Sequence, residues 1–150
     1  MVSINTQRGL AAMVTVLLTG ASGFVGSHIL PALLADGHSV RALVRNDRTK
    51  QRVLARLGAS EQASVSFATG DVTVPGTLRE AVTGVDAIVH LVALPRDWNG
   101  GRDMQHVNVD GTRTVVDAAT AAGVTRFIHL GALGVVDDPR LHYASSKARA

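Results

Sequence analysis

Residues 19–26, Thr-Gly-Ala-Ser-Gly-Phe-Val-Gly, constrain the fold more than any other stretch. The apolar run Met13 to Leu18 leads into them, and an apolar, helix-spaced run from Val25 to Ala35 leaves them. A strand that ends in closely spaced glycines and opens at once into a helix builds an anion site. The N–H groups at the helix start have no internal partners, and the helix dipole favours negative charge there. A diphosphate satisfies both. The glycines have separate tasks: Gly20 allows the tight turn, Gly23 lets the backbone approach phosphates, and Gly26 lets the helix pack close to the strand. The spacing is G-x-x-G-x-x-G, and the first candidate binding residues are Gly20, Ser22, Gly23, Phe24, Val25 and Gly26.

The rest of the chain repeats the strand–helix unit. Strands are expected at about 14–18, 39–44, 65–68, 87–93 and 126–130. Helices are expected at 23–35, 46–58, 77–82 and 104–122, with a fifth opening near Tyr143. Pro31 lies inside the first helix and removes one hydrogen bond, so a mild kink is expected there. Short links between alternating elements imply a parallel, doubly wound α/β sheet with right-handed crossovers and helices on both faces. The expected strand order is 3-2-1-4-5, with the ligand at the carboxyl ends of strands one and four. The 150 residues fit one domain, 13–150, and residues 1–12 carry no pattern and are expected to be a disordered extension.

About 20 residues after the glycines, the end of strand two should meet the adenosine ribose. An acid there would repel a 2′-phosphate, whereas this chain has Val44-Arg45. An arginine clamps phosphate through paired hydrogen bonds, so NADP is expected over NAD. Arg41, alternating with Leu43, is a weaker candidate. Asp71-Val72 after strand three can accept from the adenine amine and pack the ring, and Leu91-Val92-Ala93 can pass beside the ribose and nicotinamide. Tyr143 and Lys147 are four apart, which puts them on one helix face. An adjacent ammonium favours the phenolate, so Tyr143 could move a proton to or from a carbonyl or alcohol near neutrality, while Lys147 could also hold the nicotinamide ribose.

Gly20-x-x-Gly23-x-x-Gly26, Asp71-Val72, Asn108-Val109-Asp110-Gly111-Thr112 and Tyr143-x-x-x-Lys147 together resemble the short-chain dehydrogenase/reductase superfamily. The segments TGASGFVGSHI, VNVDGT and HLGALG resemble its extended and atypical branches, which include epimerase/dehydratase-like members. The resemblance runs from Met13 to Ala150. It implies a Rossmann domain binding NAD(P), Tyr143 as acid/base with Lys147 as its partner, and Asn108 in a helix that braces the site. It also implies a carbonyl, alcohol or sugar-nucleotide substrate and a homodimer contact through the fourth helix. The family usually places Ser or Thr after strand five, where this chain reads Leu130-Gly131-Ala132-Leu133-Gly134. It also continues past the lysine into a substrate lobe, so the chain is expected to be an incomplete amino-terminal portion, with strand five left as a sheet edge and inactive in isolation. A non-catalytic NAD(P)-binding sensor or assembly subunit is the alternative.

Composition narrows the classes. Lys and Arg are dispersed, the net charge is +3, and no zinc-finger or RNA-binding pattern occurs, so no nucleic-acid partner is expected. No apolar run nears the roughly 20 residues of a membrane span. The absence of cysteine suits a reducing cytoplasm. Six histidines lack ligand spacing on any one expected helix, so no metal is expected. His90 and His129 lie on apolar strands and are expected in the core, and Trp98 lies in the loop after strand four, either walling a substrate pocket or on the surface.

Overall fold

The computed structural model describes residues 13–150; the expected extension 1–12 lies outside them. Five parallel strands form one sheet: β1 (Thr15–Thr19), β2 (Ser39–Val44), β3 (Val65–Thr69), β4 (Ala87–His90) and β5 (Arg126–His129). Their order is β3-β2-β1-β4-β5, so the sheet is wound outward in both directions from β1.

Side chains alternate across this sheet and build two cores. Val16 and Leu18 of β1 join Leu30 of α1 (Gly26–Ala35) and Val53 of α2 (Asp47–Leu54) on one face. Leu17 joins Ile88, Ala81 of α4 (Arg79–Val82) and Val115 of α6 (Gly111–Ala121) on the other. Leu18 and Ile88 are fully buried, each contributing about 2 kcal/mol of apolar transfer free energy.

Several boundaries differ from the sequence reading. Helix α1 begins at Gly26, because 20–25 are still turning: the Gly23 amide donates to the Gly20 carbonyl at 3.0 Å. It runs through Pro31 as one helix. The expected helix 46–58 splits into α2 and α3 (Ala59–Ala63). Gly58 is extended at the break, and its amide donates to the Glu61 carboxylate at 2.7 Å. Strand β4 stops at His90 rather than residue 93, because its neighbour β1 leaves the ladder at Gly20. The expected 77–82 helix becomes a 3-10 turn, Pro75–Thr77, followed by α4.

The long fourth helix comes in three parts: α5 (Arg102–Met104), a widened π turn (Gln105–Asp110) and α6. Asp97 caps its start, accepting from the amides of Asn99, Gly101 and Met104 at 3.0–3.1 Å. Those bonds hold the half-buried Asp97 carboxyl below the ordinary carboxylate range, Met104 contributing most. The final helix, α7 (His142–Arg149), packs against the π turn. Among the described residues no helix is long and apolar enough to cross a membrane.

Candidate functional site

The glycine turn sits between β1 and α1, at the carboxyl edge of the sheet. Gly20 has φ +77°, and a Cβ there would lie 3.1 Å from the Leu91 carbonyl carbon and the Val92 nitrogen. The loop after β4 therefore runs against the turn. A Cβ on Gly26 would overlap the Gly20 carbonyl oxygen, so the start of α1 meets the glycine turn backbone to backbone. Gly23 is different: a Cβ there would have only the Gly20 oxygen nearby, at 3.2 Å, leaving its outer side open. Arg56 braces the turn from behind, donating to the Ser22 carbonyl at 3.1 Å.

A cleft of about 330 Å³ opens beside the turn. Gly20 and Ser22 form one end; Arg45, with Thr49 and Arg52 of α2, forms a cationic side. Gly70 to Thr73 form the opposite wall, closed by Val92, Ala93 and Leu94 and by His106 and Val107 of the π turn. Burial raises the Asp71 carboxyl, but bonds from the Thr73 amide and hydroxyl, together with Arg45 and His106, outweigh it and leave Asp71 below its ordinary value. Both Thr73 bonds fall on Oδ1, at 2.9 and 2.8 Å.

The cleft thus gathers Gly20, Ser22, Arg45, Asp71, Val72, Val92 and Ala93 of the sequence candidates. Gly23, Gly26, Phe24 and Val25 do not line it. Phe24 is 82 % exposed and meets His28 edge to face. Leu91 packs against the α1-side core and does not line the cleft. Arg41 is not a ligand candidate here, since its guanidinium donates to the carbonyls of Ala81 and Thr83, at 2.9 and 2.7 Å, and closes the end of α4. Thr49 and Arg52 were missed. Their spacing of three on a helix directly after Arg45 puts them on one face, which is the signal that would have found them.

Asn108, Tyr143 and Lys147 lie outside this cleft, and Asn108 connects the two regions. Its Oδ1 accepts from the Leu94 amide at 2.6 Å; its Nδ2 donates to the Leu94 carbonyl at 3.1 Å and to Ser146 Oγ at 2.9 Å. One buried amide therefore ties the cleft wall to the helix bearing Tyr143 and Lys147. The two residues diverge in environment: Tyr143 is 37 % exposed, whereas Lys147 is 7 % exposed. The expected Tyr143–Lys147 contact is not what the lysine makes. Its Nζ lies 3.0 Å from His129 Nε2, and burial lowers the Lys147 pKa. Trp98 is 96 % exposed and does not line this cleft.

His90 is fully buried, as a core residue, and its bonding fixes its tautomer. Thr112 Oγ1 donates to the Asn108 carbonyl at 2.6 Å, so it accepts from His90 Nε2 at 3.2 Å. Nδ1 then accepts from Thr19 Oγ1 at 2.7 Å. Burial, aided by His129 and Lys147, pushes the His90 pKa down to about 3.

Fold and site together define a doubly wound nucleotide-binding domain with a phosphate-suited turn. A family model described as NAD(P)H-binding matches residues 20–149, and the chain belongs to that family. It is 37 % identical over 123 residues to a 4-hydroxy-2-methyl-3-oxo-4-farnesyl-3,4-dihydroquinoline-1-oxide ketoreductase of Stigmatella aurantiaca, covering 82 % of this chain and 35 % of that one. It is 33 % identical over 140 residues to a UDP-glucose 4-epimerase of Klebsiella pneumoniae, covering 87 % and 99 % respectively. The structure of the Bordetella bronchiseptica enzyme WbmG in complex with NAD superposes with a TM-score of 0.75 at 26 % identity, over 96 % of this chain and 49 % of that one. The chain spans about a third of the length of several curated relatives it matches.

Proposed function

We propose that this domain binds NADP along the carboxyl edge of the sheet and belongs to a reductase, dehydrogenase or epimerase acting on a carbonyl, an alcohol or a sugar nucleotide. The observation that carries the reading is the cleft itself, where the glycine turn, two arginines and Asp71-Val72 face one space. The turn would hold the diphosphate through its backbone N–H groups other than that of Gly23, which donates to the Gly20 carbonyl. Arg45 and Arg52, with the Thr49 hydroxyl, would hold a 2′-phosphate. Asp71 keeps Oδ2 for the adenine amine, because Thr73 occupies only Oδ1.

Serine at both arginines removes the charge-assisted bonds, each about 1.5–3 kcal/mol. Arg45→Ser/Arg52→Ser is expected to raise the NADPH dissociation constant at least tenfold and to change NADH binding less than threefold, measured by calorimetry on the intact protein. Equal losses for both nucleotides would remove the NADP assignment.

Bound dinucleotide would supply the hydride acceptor or donor. Lys147 would hold the nicotinamide ribose, and Tyr143, at the exposed first turn of α7, would move the proton at the substrate oxygen. Tyr143→Phe in the intact protein is therefore expected to lower kcat at least 100-fold with NADPH affinity retained. One observation favours a non-catalytic reading. Residues 130–134 supply no hydroxyl, and the nearby hydroxyls are committed: Ser145 donates to Asp137 at 2.6 Å and Ser146 to the Tyr143 carbonyl at 2.8 Å. Turnover unaffected by Tyr143→Phe, or none with any carbonyl, alcohol or sugar nucleotide tried, supports that alternative, a binding or assembly subunit.

A further inference from the structure

Three residues at the carboxyl ends of neighbouring strands form one row. Thr19 on β1 stands opposite His90 on β4, and His90 stands opposite His129 on β5. The two imidazoles stack, with centroids 5.5 Å apart and planes 22° apart. Helix α7 adds the Lys147 ammonium to the end of the row, 3.0 Å from His129 Nε2. Among the described residues His129 is the hydrogen-bond partner that Lys147 has.

Counting donors fixes the roles. An ammonium has three N–H donors and no acceptor. His129 Nε2 must therefore accept, which makes the ring neutral with its proton on Nδ1. Burial and the Lys147 charge both favour that neutral form. Nδ1 is buried without a partner, so no second hydrogen bond orients the ring. The stack on neutral His90 does so from β4, and Lys147 is the charged group facing the ring from α7. Two ammonium donors remain, and two donors on one nitrogen suit two neighbouring hydroxyls, the pattern of a ribose.

We propose that His129 is a positioning residue for Lys147: it accepts one ammonium N–H and fixes Nζ where the other two serve the nicotinamide-ribose hydroxyls. This rests on the reading above that Lys147 holds that ribose. The row makes the arrangement stiff, because a shift of His129 disturbs the stack on His90, which Thr19 and Thr112 hold from both sides.

The test uses the intact protein and two readouts: the NMR titration of the Lys147 side chain, assigned with Lys147→Met and referenced to Lys50, and the NADPH dissociation constant. His129→Phe keeps an aromatic ring for the stack and removes the acceptor. Lys147 should then titrate at lower pH than in the wild type, and the NADPH dissociation constant should rise about tenfold, the loss of roughly one hydrogen bond to a charged group. His129→Gln restores an acceptor and should bring both values back to within about threefold of wild type. Should His129→Phe fail to fold, His129→Leu replaces it. Unchanged titration and affinity in the acceptor-less variant overturn the proposal. If Lys147→Met leaves NADPH affinity intact while His129→Phe still moves the Lys147 titration, the ribose role of Lys147 falls, and the positioning role with it. If Lys147→Met weakens NADPH binding and His129→Phe does not, His129 alone is dismissed.

Discussion

Gly26→Ala is expected to destabilise the domain by about 3 kcal/mol and to lower its thermal midpoint by roughly 6–12 °C. The added methyl would overlap the Gly20 carbonyl oxygen and lie 2.7 Å from Ala21 Cα and 2.8 Å from the Ala21 carbonyl carbon. All three neighbours are backbone, so no rotamer change relieves the overlap. Helix α1 must withdraw or the turn must open. Opening it breaks the bond from the Gly23 amide to the Gly20 carbonyl, which holds the turn in shape. NADPH affinity should therefore fall more than tenfold along with the stability. Gly23→Ala separates the two effects, because its methyl would meet only the Gly20 oxygen, at 3.2 Å, and would otherwise have open space around it on the turn proposed to hold the diphosphate. Its stability should stay within about 1 kcal/mol of wild type while affinity drops at least tenfold. Gly76→Ala, with nothing within 4 Å of the new methyl, is the control. Thermal unfolding and calorimetric titration of the three variants check these outcomes. A wild-type midpoint for Gly26→Ala would show that the contact between the glycine turn and α1 has room to spare.

The fold was legible because its signals are local and repeated. The run Val16-Leu17-Leu18 buries on both faces, as a central parallel strand must, and the glycines that follow declare the turn. From there alternation and short links dictated the order β3-β2-β1-β4-β5. Ends of elements were less legible because tertiary partners set them. Nothing in Leu91-Val92-Ala93 says that β4 stops at His90; the departure of β1 at Gly20 does. Likewise the Gln105–Asp110 π turn has no sign in the residue pattern, yet it presents His106 and Val107 to the cleft while Asn108 turns inward to Leu94 and Ser146. On the site side, residues in compact motifs could be read directly, while those assembled across the sheet could not. Arg45 was visible from its distance to the glycines, and Arg52 only from its helical spacing to Thr49 once α2 is placed beside the same cleft. Lys147 is paired with Tyr143 by helical spacing and by the family resemblance. Its bond to His129 depends on the packing of α7 against β5, which no spacing encodes.

Acidification should weaken the fold well above the pH at which its carboxylates titrate, and His90 supplies most of that sensitivity. Its folded pKa is about 3, against 6.5 in an unfolded chain. Between those values the unfolded chain binds a proton that the folded domain does not, so stability is full above pH 6.5 and is lost as the pH falls towards 3. At pH 5 the loss from His90 alone is about 2 kcal/mol. His129, also lowered by burial and by Lys147, adds a loss of the same sign. The depressed carboxyls of Asp71, Asp97, Asp137 and Asp138 begin to act about one unit above their unfolded value of 3.8, so the window from about 5 to 6.5 belongs to the histidines. Protonation there would place a charge on the ring between Thr19 and Thr112, stacked on His129 and close to the Lys147 ammonium. His90→Gln can keep bonds to both threonines without titrating. Denaturant unfolding at successive pH values should therefore show a shallower slope for His90→Gln than for wild type across that window, whatever its stability at pH 7.5. Identical slopes would mean that His90 takes up its proton in the folded domain as readily as in the unfolded chain, which a ring closed off by β1, β4 and α6 should not allow.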